Sequence, residues 1–165
     1  MSPSPDITLA DVGADMLEQL LELAHHDAAA DDVTPPLGTG SGWNAERIDW
    51  FRAYHRAAAA GLDGPAGEKS WAVLCDGRPA GSVRLKRTAE TTAEMGVWLG
   101  RSFRGSGVGT AALALVLAEA RHAGLSHVVA YTTAGNVGAR RLGGAGAHLT
   151  HDGDGNVSAA VVLPN

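Results

Sequence analysis

The stretch RGSGVG, Arg104 to Gly109, stands between EMGVWLGRSF and TAALALVLAEARHAG. The first flank has strand character. The second reads as a helix that is apolar almost all round: Ala112, Leu113, Val116, Leu117 and Ala120 share a face, and Glu119, Arg121 and His122 break the run. A glycine-rich turn between a strand and a buried helix can aim several backbone N–H groups at one point, and the helix N-terminus adds partial positive charge. Arg104 adds a full one. An anion is the natural tenant. It is not held as in a Walker loop, because Thr110-Ala111 follows Gly109 where that motif needs Lys-Ser/Thr. A dinucleotide fingerprint also fits poorly, since Thr110 holds its third glycine position and three earlier strands precede the strand that leads into the turn. A glycine-rich turn that binds nothing is the bland alternative.

The rest of the chain alternates in the same way. DITLADV reads as a first strand and ADMLEQLLELAHHDAAAD as an amphipathic helix, with Met16, Leu17, Leu20, Leu21 and Ala24 on one stripe. DDVTPPLGTGSG is a loop, and WNAERIDWFRAYHRAAAAG a second helix with Asn44 as N-cap. WAVLC and RPAGSVRLKR are strands joined by an Asp76-Gly77 hairpin turn, TAEMGVWL is the next strand, and SHVVAYTT follows the buried helix. NVGARRLGG is a short, glycine-weakened helix, and AHLTH with VSAAVVL forms a final hairpin. Hairpin neighbours are antiparallel, whereas the strand-helix-strand unit through residues 93–133 is parallel with a right-handed crossover. The expected class is α/β (α+β): a mixed, mostly antiparallel sheet with helices on both faces, in one domain over residues 1–165.

The net charge of −5 and the lack of any Lys/Arg-rich run argue against a nucleic-acid partner and leave room for a cationic one. Cys75 is the only cysteine, so no internal disulfide can form, and core packing explains it better than a nucleophilic role. The N-terminus shows no signal-peptide pattern, and no apolar run is long enough to span a bilayer. The expectation is a cytoplasmic protein with no membrane partner. No metal is called for: His25 and His26 end a helix, where histidine is favoured anyway, and DGDGN at 152–156 lacks the glycine and closing glutamate of a calcium loop. His148 and His151 fall on the last hairpin, where solvent exposure is the simpler reading.

RGSGVGT opening a long apolar helix resembles the acyl-CoA-binding motif of the GNAT superfamily of N-acyltransferases. Arg104, Gly107 and Gly109 fill that motif and Gly105 extends it; Glu94 precedes it, and Asn136 and Ala139 match the residues that begin the family's next helix. The resemblance spans residues 70–142. It implies acetyl-CoA as co-substrate, bound by Arg104, Gly105, Ser106, Gly107, Val108, Gly109, Thr110 and Asn136, with backbone groups of Val97, Trp98 and Leu99 near the acetyl carbonyl. It implies direct transfer to an amine with Glu94 as general base. The rival reading of Glu94 is a strand carboxylate paired with Arg84 or Lys86. Gly143 stands where many members carry the tyrosine that protonates the departing thiolate, and neither Tyr54 nor Tyr131 matches that position. A thiolate whose acid has a pKa near ~8.5 can leave unassisted.

In this family the segment between the first two helices lines the acceptor site. Here it carries Asp31, Asp32 and Trp43, with Asp27 just before and Trp50 and Tyr54 just after. Carboxylates beside aromatic rings suit a small cationic amine; a solvated acidic loop is the alternative. Fainter likeness of DDVTPP, GLDGPAGE and GSVRLKR to bacterial aminoglycoside-modifying acetyltransferases, kasugamycin-modifying ones among them, points to an antibiotic acceptor and resistance. A protein or peptide N-acetyltransferase and a non-catalytic acyl-CoA sensor stay open beside that. Dimers are common in the resembling family, so a homodimer stays open too.

Overall fold

The computed structural model describes residues 5–133, 148–151 and 156–162, with the backbone alone from 131 onward. The hairpin at Asp76-Gly77 and the parallel strand-helix-strand unit form as expected. β1 (Ile7–Asp11), β2 (Glu68–Cys75), β3 (Arg78–Ala89) and β4 (Thr92–Leu99) run antiparallel in sequence, and β5 (His127–Thr133) lies parallel to β4. β7 (Asn156–Val162) lies between β5 and β6 (His148–His151), giving the order β1-β2-β3-β4-β5-β7-β6. The weak helix expected at NVGARRLGG, with Asn136, Ala139 and Gly143, lies outside the described residues, as does the DGDG turn.

The first helix is shorter than the segment ADMLEQLLELAHHDAAAD expected for it. α1 spans Ala14–Asp27, Ala28 and Ala29 turn extended, and α2 (Ala30–Val33) is a separate turn within the acidic segment. α3 (Ala45–Ala58) begins as its cap predicts: the Arg47 N–H donates to Asn44 Oδ1 at 2.9 Å. Its Asn44 Nδ2 donates to Leu37 O at 2.8 Å, so the cap also ties down the loop before it. α4 (Val108–His122) buries Val108, Ala112, Leu113, Val116 and Ala120.

Strand alternation divides these helices between two layers. Odd residues of β2, β3 and β4, including Val73, Val83, Leu85, Ala93 and Met95, pack against α4. The opposite face meets α1 and α3, where Leu17, Leu20, Leu21, Ala24, Phe51 and Ala72 form a second core. One irregularity sets which residues share that face. Asp76 and Gly77, both at positive φ, close the two-residue β2–β3 turn, but the register shifts between Val73 and Leu74. An unbroken ladder would bring Glu68 opposite Leu85; the bulge brings it opposite Lys86 instead. The extra residue, Ala80, is on β3, and because a one-residue slip exchanges faces, Arg84 and Lys86 stand on the α3 side of the sheet beside Glu68, which shares its face with Ala72 through the alternation of β2.

Candidate active site

β4 and β5 pair only from Thr92↔His127 to Met95↔Ala130, although β4 continues to Leu99 against β3. The two strands therefore part beyond Met95. The parity of the backbone fixes what faces the gap. The Gly100 N–H donates to Ala80 O on the β3 side, while Thr91 O accepts from Ser126 and His127 on the β5 side. Odd residues of β4 thus turn their backbone groups toward β5, and Val97 and Leu99 present theirs to the gap. Trp98, expected to contribute a backbone donor, turns its own toward β3; its side chain lines the opposite face beside Phe51, ring centroids 6.4 Å apart.

The glycine-rich turn closes the end of the gap. Gly105 and Gly107 have φ of 77° and 87°, left-handed values that side-chain-bearing residues disfavour. The first helical bond of α4 runs from the Ala111 N–H to Gly107 O at 3.1 Å, leaving the N–H groups of Val108, Gly109 and Thr110 as the donors a helix N-terminus exposes. Gly109 passes close to β4: a Cβ there would lie 3.3 Å from Leu99 Cδ1. Ser106 Oγ donates to Phe103 O. Arg104 donates from Nε and Nη2 to Leu99 O, at 3.1 and 2.9 Å, and its Nη2 lies 3.5 Å from Asp32 Oδ2. The guanidinium expected at an anion site thus bridges the turn, the open end of β4 and the acidic loop.

On the α1/α3 face lies a cleft of about 690 Å³, lined by the α2 segment, α3, and β2 to β4. Glu94 stands in it, its Oε1 3.7 Å from Arg84 Nη2, so the ion pair with Arg84 is present. Gly96 makes room for that arginine: a Cβ there would meet Arg84 Nε at 2.6 Å. Trp50 and Tyr54 form a stacked wall, centroids 5.2 Å apart. Burial, with the charge of Glu68 second, raises the Tyr54 hydroxyl above its usual range, so it is a neutral phenol at physiological pH. His55, 3% exposed, brings its Nδ1 within 2.8 Å of Ser70 Oγ, and burial depresses it to about 4.

The acidic residues expected at the acceptor site separate. Asp31 and Asp32 line the cleft, but Asp31 Oδ1 lies 2.8 Å from Nη1 of Arg47, a residue 1% exposed that also reaches Thr34 Oγ1 and Gly40 O. Asp27 does not line the cleft. Its Oδ2 accepts from the Ser102 N–H at 3.0 Å, a bond that holds its carboxyl below the usual range, and it packs over Gly100 just ahead of the glycine turn. Trp43 also lies apart from the cleft lining, with its Nε1 donating to Ala28 O at 3.1 Å. The structure adds His55, Glu68, Arg84 and Lys86 to the cleft. The signal for the last three was the alternation of β2 and β3, readable for β3 only once the bulge is known.

Residues 40–143 match the Acetyltransferase (GNAT) family, and the chain belongs to that family. No curated protein matches it. Solved structures share the fold at low identity. The GNAT domain of S. lividans PAT is 18% identical, with 96% of this chain and 90% of that one covered and a TM-score of 0.71. The microcin C7 self immunity acetyltransferase MccE, in complex with acetyl-CoA and AMP, is 18% identical, with 96% and 93% covered and a TM-score of 0.68. RimL, a ribosomal L7/L12 alpha-N-protein acetyltransferase in complex with CoA, is 16% identical, with 95% and 94% covered and a TM-score of 0.68. The protein is an acetyl-CoA-dependent acetyltransferase. Among the described residues, no helix is long and apolar enough to cross a membrane.

Proposed function

We propose that this acetyltransferase moves the acetyl group directly onto the primary amine of a small cationic acceptor. One observation carries the reading: the same end of β4 faces an open gap along its edge and an acidic, aromatic-walled cleft across its face. The gap suits the pantetheine arm, and the glycine turn with the α4 N-terminus suits the pyrophosphate. Arg104 would exchange the Asp32 carboxylate for phosphate. The N–H groups of Val97 and Leu99 would polarise the acetyl carbonyl as charge builds on its oxygen. Glu94, directly or through one water, takes the proton as the amine nitrogen bonds to the carbonyl carbon. The C–S bond breaks and its electron pair leaves on the CoA sulfur, a tolerable thiolate with an acid pKa near ~8.5.

Release of CoA thiol across an amine panel tests this. Turnover of small cationic amines, amino sugars included, is the expected result. Turnover of an N-terminal peptide alone would move the acceptor to a protein α-amine, the kind of group named for RimL. Acetyl-CoA binding with no CoA released from any acceptor would make the chain a sensor.

A further inference from the structure

Two polar atoms at the β2 end of the cleft, Tyr54 Oη and Glu68 Oε2, are buried with no partner at full hydrogen-bond distance among the described residues, and their side chains act on each other. An unsatisfied buried polar atom is destabilising, more so on a charged group, and native structures keep one where something else completes it. Both side chains line the cleft. The other oxygen of Glu68 has only Lys86, at 3.9 Å, and the Lys86 side chain is 52% exposed. The carboxylate is therefore held loosely by Lys86 on one side, with the Tyr54 hydroxyl as the neighbour of its buried oxygen on the other. An ionised carboxylate only accepts, and a phenol that turns its O–H toward it keeps its own lone pairs to accept with; an ammonium group, which donates in several directions at once, can satisfy both. The stacked rings of Trp50 and Tyr54 supply π faces that also favour a cation.

We propose that this end of the cleft seats a second cationic nitrogen of the acceptor, so that the acceptor is a di- or polyamine. The proposal rests on the acetyl-transfer reading, which puts the reacting amine at Glu94. The sheet supplies the spacing. Glu68 lies opposite Lys86, and Lys86 opposite Glu94, so the two glutamates occupy one row across three adjacent strands. At ~4.8 Å per strand, their backbone positions are about 10 Å apart. Lys86 between them favours an acceptor that bridges two separated charges over one with charge throughout. Arg84, which also faces the cleft, is turned toward Glu94 rather than Glu68.

The test compares hexylamine with hexamethylenediamine and putrescine, by CoA release and by calorimetric titration of the full chain in the presence of CoA. The longer diamine should exceed hexylamine by about tenfold or more in kcat/KM and in affinity, the factor that 1.4 kcal/mol represents. In Glu68→Gln that ratio should fall below about threefold, with Tyr54→Phe between the two. A ratio near one in the parent, or a ratio unchanged in Glu68→Gln, overturns the seat and leaves water as what completes the two atoms. Absent CoA release from these amines and from every acceptor of the wider panel would sink the transfer reading instead, while the calorimetric ratio still decides the seat.

Discussion

Two sets of carboxylates surround the cleft, and they differ in what they are committed to. The aspartates of residues 27–32 are tied into the frame: Asp27 takes a backbone N–H of the turn before the glycine loop, Asp31 neutralises a buried arginine, and Asp32 pairs with Arg104. The glutamates on the sheet, Glu68 and Glu94, face the cleft through contacts of 3.9 and 3.7 Å, and among the described residues one oxygen of Glu68 has no partner at full hydrogen-bond distance. An acidic cluster in a sequence marks where negative charge is. Whether that charge is available to a ligand depends on cations that folding brings from elsewhere. Here Arg47 lies on α3 and Arg104 in the turn before α4, so the more conspicuous cluster is the less available one.

The largest test of this contrast is Glu94→Gln. As general base, Glu94 should carry about 10²–10⁴-fold in kcat. Its ion pair is about one-third exposed, so thermal unfolding should move by no more than the few degrees that about 1 kcal/mol represents in a chain of this size. Near-full turnover at neutral pH would return Glu94 to a purely structural pairing with Arg84.

His55 shows that facing the cleft does not by itself leave a group open. It is held neutral by burial, with a folded pKa near 4 against the ordinary 6.5. The folded state thus binds fewer protons than the unfolded one between those values. The stabilisation is in full force above pH 6.5 and is lost as pH falls toward 4, by about 3 kcal/mol at the lower end. Urea unfolding at pH 7 and pH 4 should show the parent losing about 3 kcal/mol more than His55→Gln. Equal losses would mean that the imidazole is already solvated in the fold.

Asp31→Asn should act on stability. It leaves a guanidinium, buried in its entirety but for 1%, with Thr34 and Gly40 as its remaining partners among the described residues. The expected cost is about 1–3 kcal/mol, discounted because Asp31 itself is exposed, or roughly 3–10 °C in Tm. An unchanged Tm with a tenfold higher amine KM would mean that Asp31 serves the ligand and not the frame.

The cofactor side of the fold was legible because its signal is local. RGSGVG, its strand and its apolar helix are contiguous, and the parallel β4–β5 crossover follows from their order. Which β4 backbone groups face the gap was not legible, since that needs the strand's parity, and Trp98 fell on the wrong side of it. The acceptor side is assembled from residues far apart in sequence. Glu68 joins Glu94 only through two strand registers, one of them shifted by a bulge that no turn residue announces. Asp27 and Trp43 were drawn to the acceptor site by proximity in sequence, yet the end of α1 and the loop after α2 direct them to backbone partners instead.

The smallest expected effect is the most direct test of the contrast, because Asp32 both lines the cleft and is paired within the frame. Asp32 and Arg104 are each about half exposed, at 51% and 45%, and 3.5 Å apart. A pair of that kind is worth about 0.2–1 kcal/mol. Asp32→Asn should therefore leave amine KM within about twofold, while releasing Arg104 from a competing carboxylate and lowering the acetyl-CoA KM by up to about fivefold. Added salt should weaken amine binding to the parent and the variant alike, since the charges that hold the amine, on Glu68 and Glu94, are present in both. Suppose instead that Asp32→Asn raises amine KM tenfold and abolishes its salt dependence. The acidic loop would then hold the acceptor, Arg104 would be a placeholder that the amine displaces, and the assignment of frame and binding surface would have to be exchanged.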